Sequence, residues 1–342
     1  MKFDFDDILI MPAEMTNIDS RSEIYEFDNM GGLPLFTAPM DTVVSEDNEH
    51  FFRQENINVV LPRKQETEMS PKTSFSRWLS YSLRQFEEAF INHDQPLDKK
   101  HYILIDVANG HMPSVYEMTK TAKQKYGDSL VLMVGNVANP ETYGLLSEAG
   151  ADYVRIGIGN GGGCLTTQQT GIGYPMGSLI EETYEVSLSL DNPAKIVADG
   201  GFKKYADIIK ALAIGADYVM LGSILNKALE SAGETVDEEG ERVDQYRPSA
   251  ESYLKAGGKL YKTFRGMSTK EVQSSWGKKN LKTSEGVVRR NEVKYTVEGW
   301  VNNFESYLRS AMSYTGKKEL HHFIGGVNFN NITLNSFRRF NK

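Results

Sequence analysis

A chain of 342 residues, 40% hydrophobic and 25% charged, can bury a full core, so neither a disordered nor a fibrous class is needed. Forty-six acidic against 38 basic side chains leave a net charge of -8 with no basic stripe to interrupt it, which argues against binding DNA or RNA. The acidic start (Asp4, Asp6, Asp7) lacks the layout of a signal peptide and no apolar run is long enough to span a bilayer, so a cytoplasmic location is the expectation.

From about Leu33 onward, short apolar runs alternate with helical patterns, the signature of repeated βα units around a parallel sheet. Strands are expected at residues 35–38, 59–61, 103–105, 130–134, 153–156, 195–198, 218–221 and 260–263. Eight is the number that closes a (β/α)8 TIM barrel, so the whole chain, 1–342, is expected to form a single α/β domain. Between strands, Tyr143, Leu145, Leu146 and Ala149 recur at helical spacing ahead of Gly150, as do Tyr205, Ile208, Ile209, Leu212 and Ala213 ahead of Gly215. The polar stretch 233–249 reads as a surface excursion, 267–299 as a mobile active-site flap, and 328–342 as a C-terminal tail ordered only in an oligomer.

The densest chemical signal is residues 157–167, a glycine-rich loop that follows a strand and leads into Cys164, the only thiol. A lone cysteine excludes an internal disulfide, and its blander reading is a small buried hydrophobe on an incidental linker. Linkers seldom sit at the C-terminal end of a barrel strand, whereas catalytic loops do. Glycines free the backbone N–H and C=O groups to hold a phosphate, an ion or both. Two further strand ends, Asp199-Gly200-Gly201 and Leu221-Gly222-Ser223, suit phosphate binding, the alternative being ordinary tight turns. A carboxylate such as Asp199 at a strand end pairs naturally with ribose hydroxyls. The six histidines show no metal spacing, since His321 and His322 are adjacent.

Taken in order, Asp6-Asp7-Ile8-Leu9, Met40-Asp41-Thr42-Val43, the loop with Cys164, Thr170-Gly171-Ile172-Gly173, Asp199-Gly200-Gly201 and Gly266-Met267-Ser268 resemble the IMP dehydrogenase and GMP reductase family across nearly the whole chain. The resemblance implies a barrel, a purine nucleotide substrate, a nicotinamide cofactor and a homotetramer. Asp106-Val107-Ala108-Asn109-Gly110, Ser20-Arg21-Ser22-Glu23 and Gly173-Tyr174-Pro175 resemble the reductase branch. The stretch between Gly266 and Glu285 also lacks the adjacent Arg-Tyr pair with which dehydrogenases activate water. Phe264-Arg265-Gly266-Met267, Ala198-Asp199 and Gly222-Ser223 are closer to the dehydrogenase wording. The chain departs from both branches where the family has proline and then serine, here Asn160 and Gly162, with Gly163, Leu165 and Thr167 also altered.

The resemblance implies reductive deamination of GMP to IMP by NADPH, with Cys164 as nucleophile and Thr166 with Glu285 as proton relay. Because the thiolate is the reactive form of a cysteine, the loop is expected to favour the anion through N–H groups or a dipole. Carbonyls of Gly159, Gly161 and Cys164 match the family's site for a monovalent cation, K+. Asp106, Ala108, Asn109 and Gly110 fall on the cofactor side. Asp199, Gly200, Gly201, Gly222, Ser223, Arg265, Gly266, Met267 and Ser268 fall on ribose, phosphate and base. Alternatives are an NAD-dependent IMP dehydrogenase without its regulatory domain, and a catalytically weak purine-nucleotide-binding protein. A third is a barrel lyase using Lys262, the one lysine expected near a strand end.

Overall fold

A computed structural model describes residues 2–64, 74, 76–92, 96–266 and 286–340. Eight parallel strands pair in sequence: β1 Leu35–Thr37, β2 Val59–Leu61, β3 Arg77–Tyr81, β4 His101–Asp106, β5 Leu130–Val137, β6 Tyr153–Ile156, β7 Lys195–Asp199 and β8 Tyr218–Leu221. β1 also pairs with β8, and the Phe36–Asn58 bridge joins β1 to the start of β2, so the sheet closes on itself.

Period-two alternation fixes what each strand does in a closed barrel, because successive side chains face inward and outward. The inward set is bulky: Phe36, Val60, Trp78, Tyr102, Leu104, Val131, Met133, Val197, Tyr218 and Met220 form one buried cluster with Tyr153 against it. Trp78 sits at its hub, edge-on to Tyr153 at 5.0 Å and to Tyr102 at 5.3 Å between ring centroids. Outward residues such as Val59, Ile103, Leu132, Val154 and Ile196 belong to a second cluster that the surrounding helices cover. This aromatic packing fills the lower barrel and leaves the C-terminal strand ends for polar groups.

The strand expected at residues 260–263 is not part of the barrel. Tyr261–Arg265, here β10, lies between β9 (Thr235–Val236) and β11 (Val288–Glu292) in a separate antiparallel sheet. The barrel's actual third strand is β3, so Asp106 ends the fourth strand, Asp199 the seventh and Leu221 the eighth. Lys262 is consequently removed from any barrel mouth: it is fully buried and donates to the Ser231 carbonyl at 2.7 Å. Burial pushes its amine down to about 7, and an amine with no access to solvent or cavity leaves the lyase alternative without its nucleophile.

Both helices expected from periodicity are present, Pro140–Glu148 and Tyr205–Ala213, although Leu145 faces solvent. The helix Val297–Tyr314 starts at an N-cap, the Thr296 hydroxyl accepting the Gly299 amide at 3.1 Å. It buries Val297, Trp300, Val301, Phe304, Leu308 and Met312, a stripe at helical spacing. Of the span expected as a flap, residues 288–292 are strand β11 and 297–299 begin this helix, while 267–285 lie outside the described residues. The expected tail is also structured within one chain: Phe329–Asn331 pairs antiparallel with Ile8–Ile10, and Leu334–Phe340 is helical. No helix among the described residues is long and apolar enough to cross a membrane.

Candidate active site

The loop after β6 is held by contact rather than left slack. Gly159 has φ +82°, and a Cβ there would stand 1.8 Å from the Thr167 hydroxyl. Gly200 in the loop after β7 likewise has φ +94°, and its Cβ would come within 2.8 Å of the Gly161 amide nitrogen. Only glycine meets both demands, which explains the glycine density at these two strand ends. The loop is also stapled to the outer sheet. Cys164 bridges Gly286, the Val287 amide donates to the Gly163 carbonyl at 3.1 Å, and Gly266 packs on Gly163.

This frame presents Cys164 half-buried, with its Sγ donating to the Thr166 hydroxyl at 3.2 Å. When the sulfur is anionic the contact reverses, the hydroxyl donating to sulfur. Thr166 opens the short helix Thr166–Thr170, two residues beyond the cysteine. Glu285, the other expected partner, lies outside the described residues, as do Met267 and Ser268.

At the mouth of the barrel an ionic cluster links the two expected halves of the site. Arg155, inward-facing on β6 and almost fully buried, pairs with Asp106 at the end of β4 and stands 3.8 Å from Asp199 at the end of β7. Arg63, after β2, reaches Asp106 at 3.1 Å. Asn136 donates to Asp199 at 2.9 Å and to the Gly157 carbonyl at 2.7 Å, while its own carbonyl accepts the Gly110 amide at 2.8 Å. The loop carrying Ala108, Asn109 and Gly110 is thereby joined to the loop carrying Asp199. Sequence reading missed Arg155, Arg63 and Asn136. The only signal was an arginine interrupting an apolar strand, meaningful once alternation points it inward.

The two carboxylates are driven apart. Burial pushes Asp199 above its ordinary value, against the pull of Arg155 and Asn136 and helped by Asp106. Burial opposes ionisation of Asp106 too, but Arg155 and Arg63 together outweigh it and hold that carboxyl below its ordinary value. An ionised Asp199 therefore costs the folded state free energy at neutral pH, a cost relieved as pH falls through its raised value. Asp199→Asn is expected to resist urea better than the parent at about pH 7.5, with the gap narrowing toward about pH 4. If denaturation curves show the opposite trend, the burial argument is wrong.

Beside this cluster lie unfilled hydrogen-bond donors. Among the described residues no acceptor takes the backbone N–H of Gly200, Gly201, Gly222 or Ser223. These close the loops after the seventh and eighth strands, the positions where barrels commonly bind phosphate. A Cβ on Gly222 would meet the Met40 sulfur at 2.9 Å, so the loop after β1 seals this corner. Arg265, expected among the substrate contacts, has its guanidinium paired with Asp41 in that same loop. The histidine expectation needs correcting in one respect. Glu319, His321 and His322 do bring ligand atoms within 4.8 Å of one another, because the chain turns there into the short helix Leu320–Phe323. All three are exposed surface residues.

Similarity to known proteins points to one family. A family model described as IMP dehydrogenase / GMP reductase domain matches residues 97–340. A GMP reductase of Streptococcus agalactiae serotype V is 32% identical over 328 residues, covering 93% of this chain and 91% of that protein. One from Oceanobacillus iheyensis is 30% identical over 329 residues, covering 93% and 92%. One from Staphylococcus epidermidis is 31% identical over 332 residues, covering 93% of each. With the barrel, the glycine loop and its cysteine already in place, the chain belongs to the IMP dehydrogenase / GMP reductase family.

Proposed function

We propose that this protein is a GMP reductase, an oxidoreductase that converts GMP, NADPH and two protons to IMP, NADP+ and ammonium. The observation that carries this reading is Cys164, half-buried on a close-packed loop at the barrel mouth with a hydroxyl 3.2 Å from its sulfur. The sulfur attacks the purine carbon that bears the exocyclic amine, forming a C–S bond. The amine leaves as ammonia after taking a proton, which Thr166 passes on with Glu285 as the reservoir. A bound nicotinamide cofactor would supply hydride to the same carbon, with cleavage of the C–S bond returning the sulfur of Cys164 as thiolate. Asp199 accepts the ribose hydroxyls, and the free amides of Gly200, Gly201, Gly222 and Ser223 take the phosphate. Asp106, Ala108, Asn109 and Gly110 form the nicotinamide side.

A monovalent cation such as K+ fits the donor set. Hard cations take oxygen ligands, and the carbonyls of Gly159, Gly161 and Cys164 belong to the same loop as Asn160, whose buried Oδ1 has no donor among the described residues. The cation would lock the loop shape that presents the sulfur.

The test follows nicotinamide absorbance with GMP plus NADPH and with IMP plus NAD. Loss of NADPH with stoichiometric ammonia is expected. NADH formation from IMP would move the assignment to the dehydrogenase branch, and tight nucleotide binding with neither turnover would make the protein a binding module.

A further inference from the structure

The outer sheet turns toward the glycine loop a face that carries one cation unused in the mechanism above. β10 and β11 pair Phe264 with Arg289 across the ladder, and residues directly opposite share a face. On that face the Phe264 ring is buried against Gly163, where a Cβ would lie 2.9 Å from it. The Arg289 guanidinium lies over the same ring, 5.0 Å from its centroid. This stacking brings Arg289 to position 162. A Cβ on Gly162 would stand 3.3 Å from Nη2 of Arg289 and 3.7 Å from the Ser223 hydroxyl. Arg290, by contrast, pairs with Thr263, and alternation sends it to the opposite face.

Among the described residues no carboxylate lies within ion-pair distance of Arg289. It faces position 162 in the loop after β6, beside the Ser223 hydroxyl after β8, and among the described residues the amides of Gly200, Gly201, Gly222 and Ser223 in the loops after β7 and β8 lack acceptors. A guanidinium fork and several amides converging without an acceptor form a complement to a group with three charged oxygens. Arg289 is exposed, so stacking on Phe264 leaves its N–H donors open to a ligand entering from solvent.

We propose that Arg289 grips the 5′-phosphate of the substrate, its guanidinium occupying the space that a side chain at position 162 would otherwise fill. It is thus a specificity residue that selects nucleoside monophosphates over nucleosides. The inference rests on the nucleotide reading of the site but not on the reaction performed there. Phe264 acts as the platform that aims it.

Calorimetric titration with ribose 5-phosphate tests this without the base and without turnover. Arg289→Ala and Arg289→Gln are expected to weaken binding roughly 10- to 100-fold, the range for a lost charge-assisted hydrogen bond to phosphate. Arg289→Lys should lose less, because it keeps the charge but not the fork. Arg290→Ala, with the same charge change on the other face, should stay within about twofold. Adding Gly162→Ser to Arg289→Ala should recover part of the affinity, since the hydroxyl then enters the vacated space. Equal affinities of wild type and both Arg289 variants would overturn the proposal, as would a wild type that does not bind ribose 5-phosphate. An Arg289-dependent affinity in a protein that does not reduce GMP would uphold this inference while removing the reductase assignment.

Discussion

Replacing Cys164 by alanine is expected to lower GMP turnover by at least about 10⁴-fold while leaving nucleotide affinity within a few-fold. In the proposed mechanism the sulfur supplies the covalent step, so no other group replaces it. The loop does not need the side chain to keep its shape. The Cys164 amide donates to the Gly161 carbonyl at 2.9 Å, and the backbone bridge to Gly286 remains. Cys164→Ser keeps the contact with Thr166 but substitutes a far weaker nucleophile, so it should resemble alanine in rate. Single-turnover measurements with GMP and NADPH, beside equilibrium titration with GMP, separate the two effects. An alanine variant that retained a tenth of the parent rate would rule out the covalent route.

The largest expected effect on stability comes from Arg155→Met. Methionine fills much of the same volume, but it leaves Asp106 and Asp199 facing each other at the barrel mouth with Arg63 as the remaining cation. Stranding a buried charge in this way costs about 3–5 kcal/mol. Urea denaturation should therefore show a large fall in midpoint, and Asp106→Asn in the same background should recover a substantial part. A fall below about 1 kcal/mol, or no recovery, would mean that the cluster is solvated and that Arg155 is ordinary surface chemistry. The same variant should weaken nucleotide binding, because Asp199 would then protonate more readily and present a poorer acceptor to ribose.

Most of the barrel could be read from the chain because its strands are buried on both sides and appear as plain apolar runs, as at residues 130–134 and 218–221. β3 hid for a physical reason. Arg77-Trp78-Leu79-Ser80-Tyr81 mixes charge and hydroxyl with its apolar residues, and Ser80 is satisfied only by donating to the Leu61 carbonyl at 2.7 Å on the neighbouring strand. β10 drew the assignment instead, since Tyr261, Lys262 and Thr263 have the same local appearance. Nothing local says that the partner is Val288–Glu292 and antiparallel. The glycine loop and Cys164 were visible because glycine density is itself a backbone instruction. Arg155, Asn136 and Arg289 were not, because each acquires a role only from residues tens of positions away.

The ladder between β10 and β11 sets Arg265 opposite Val288, and the Gly266 amide donates to Val287 at 3.0 Å. The two ends of the intervening stretch, 267–285, thus start and finish side by side on a fixed base. Lengthening that stretch costs only the slowly growing entropy of a larger closed loop, and the barrel need not register the change. All eight barrel strands end by Leu221, so none of them lies within or after that stretch.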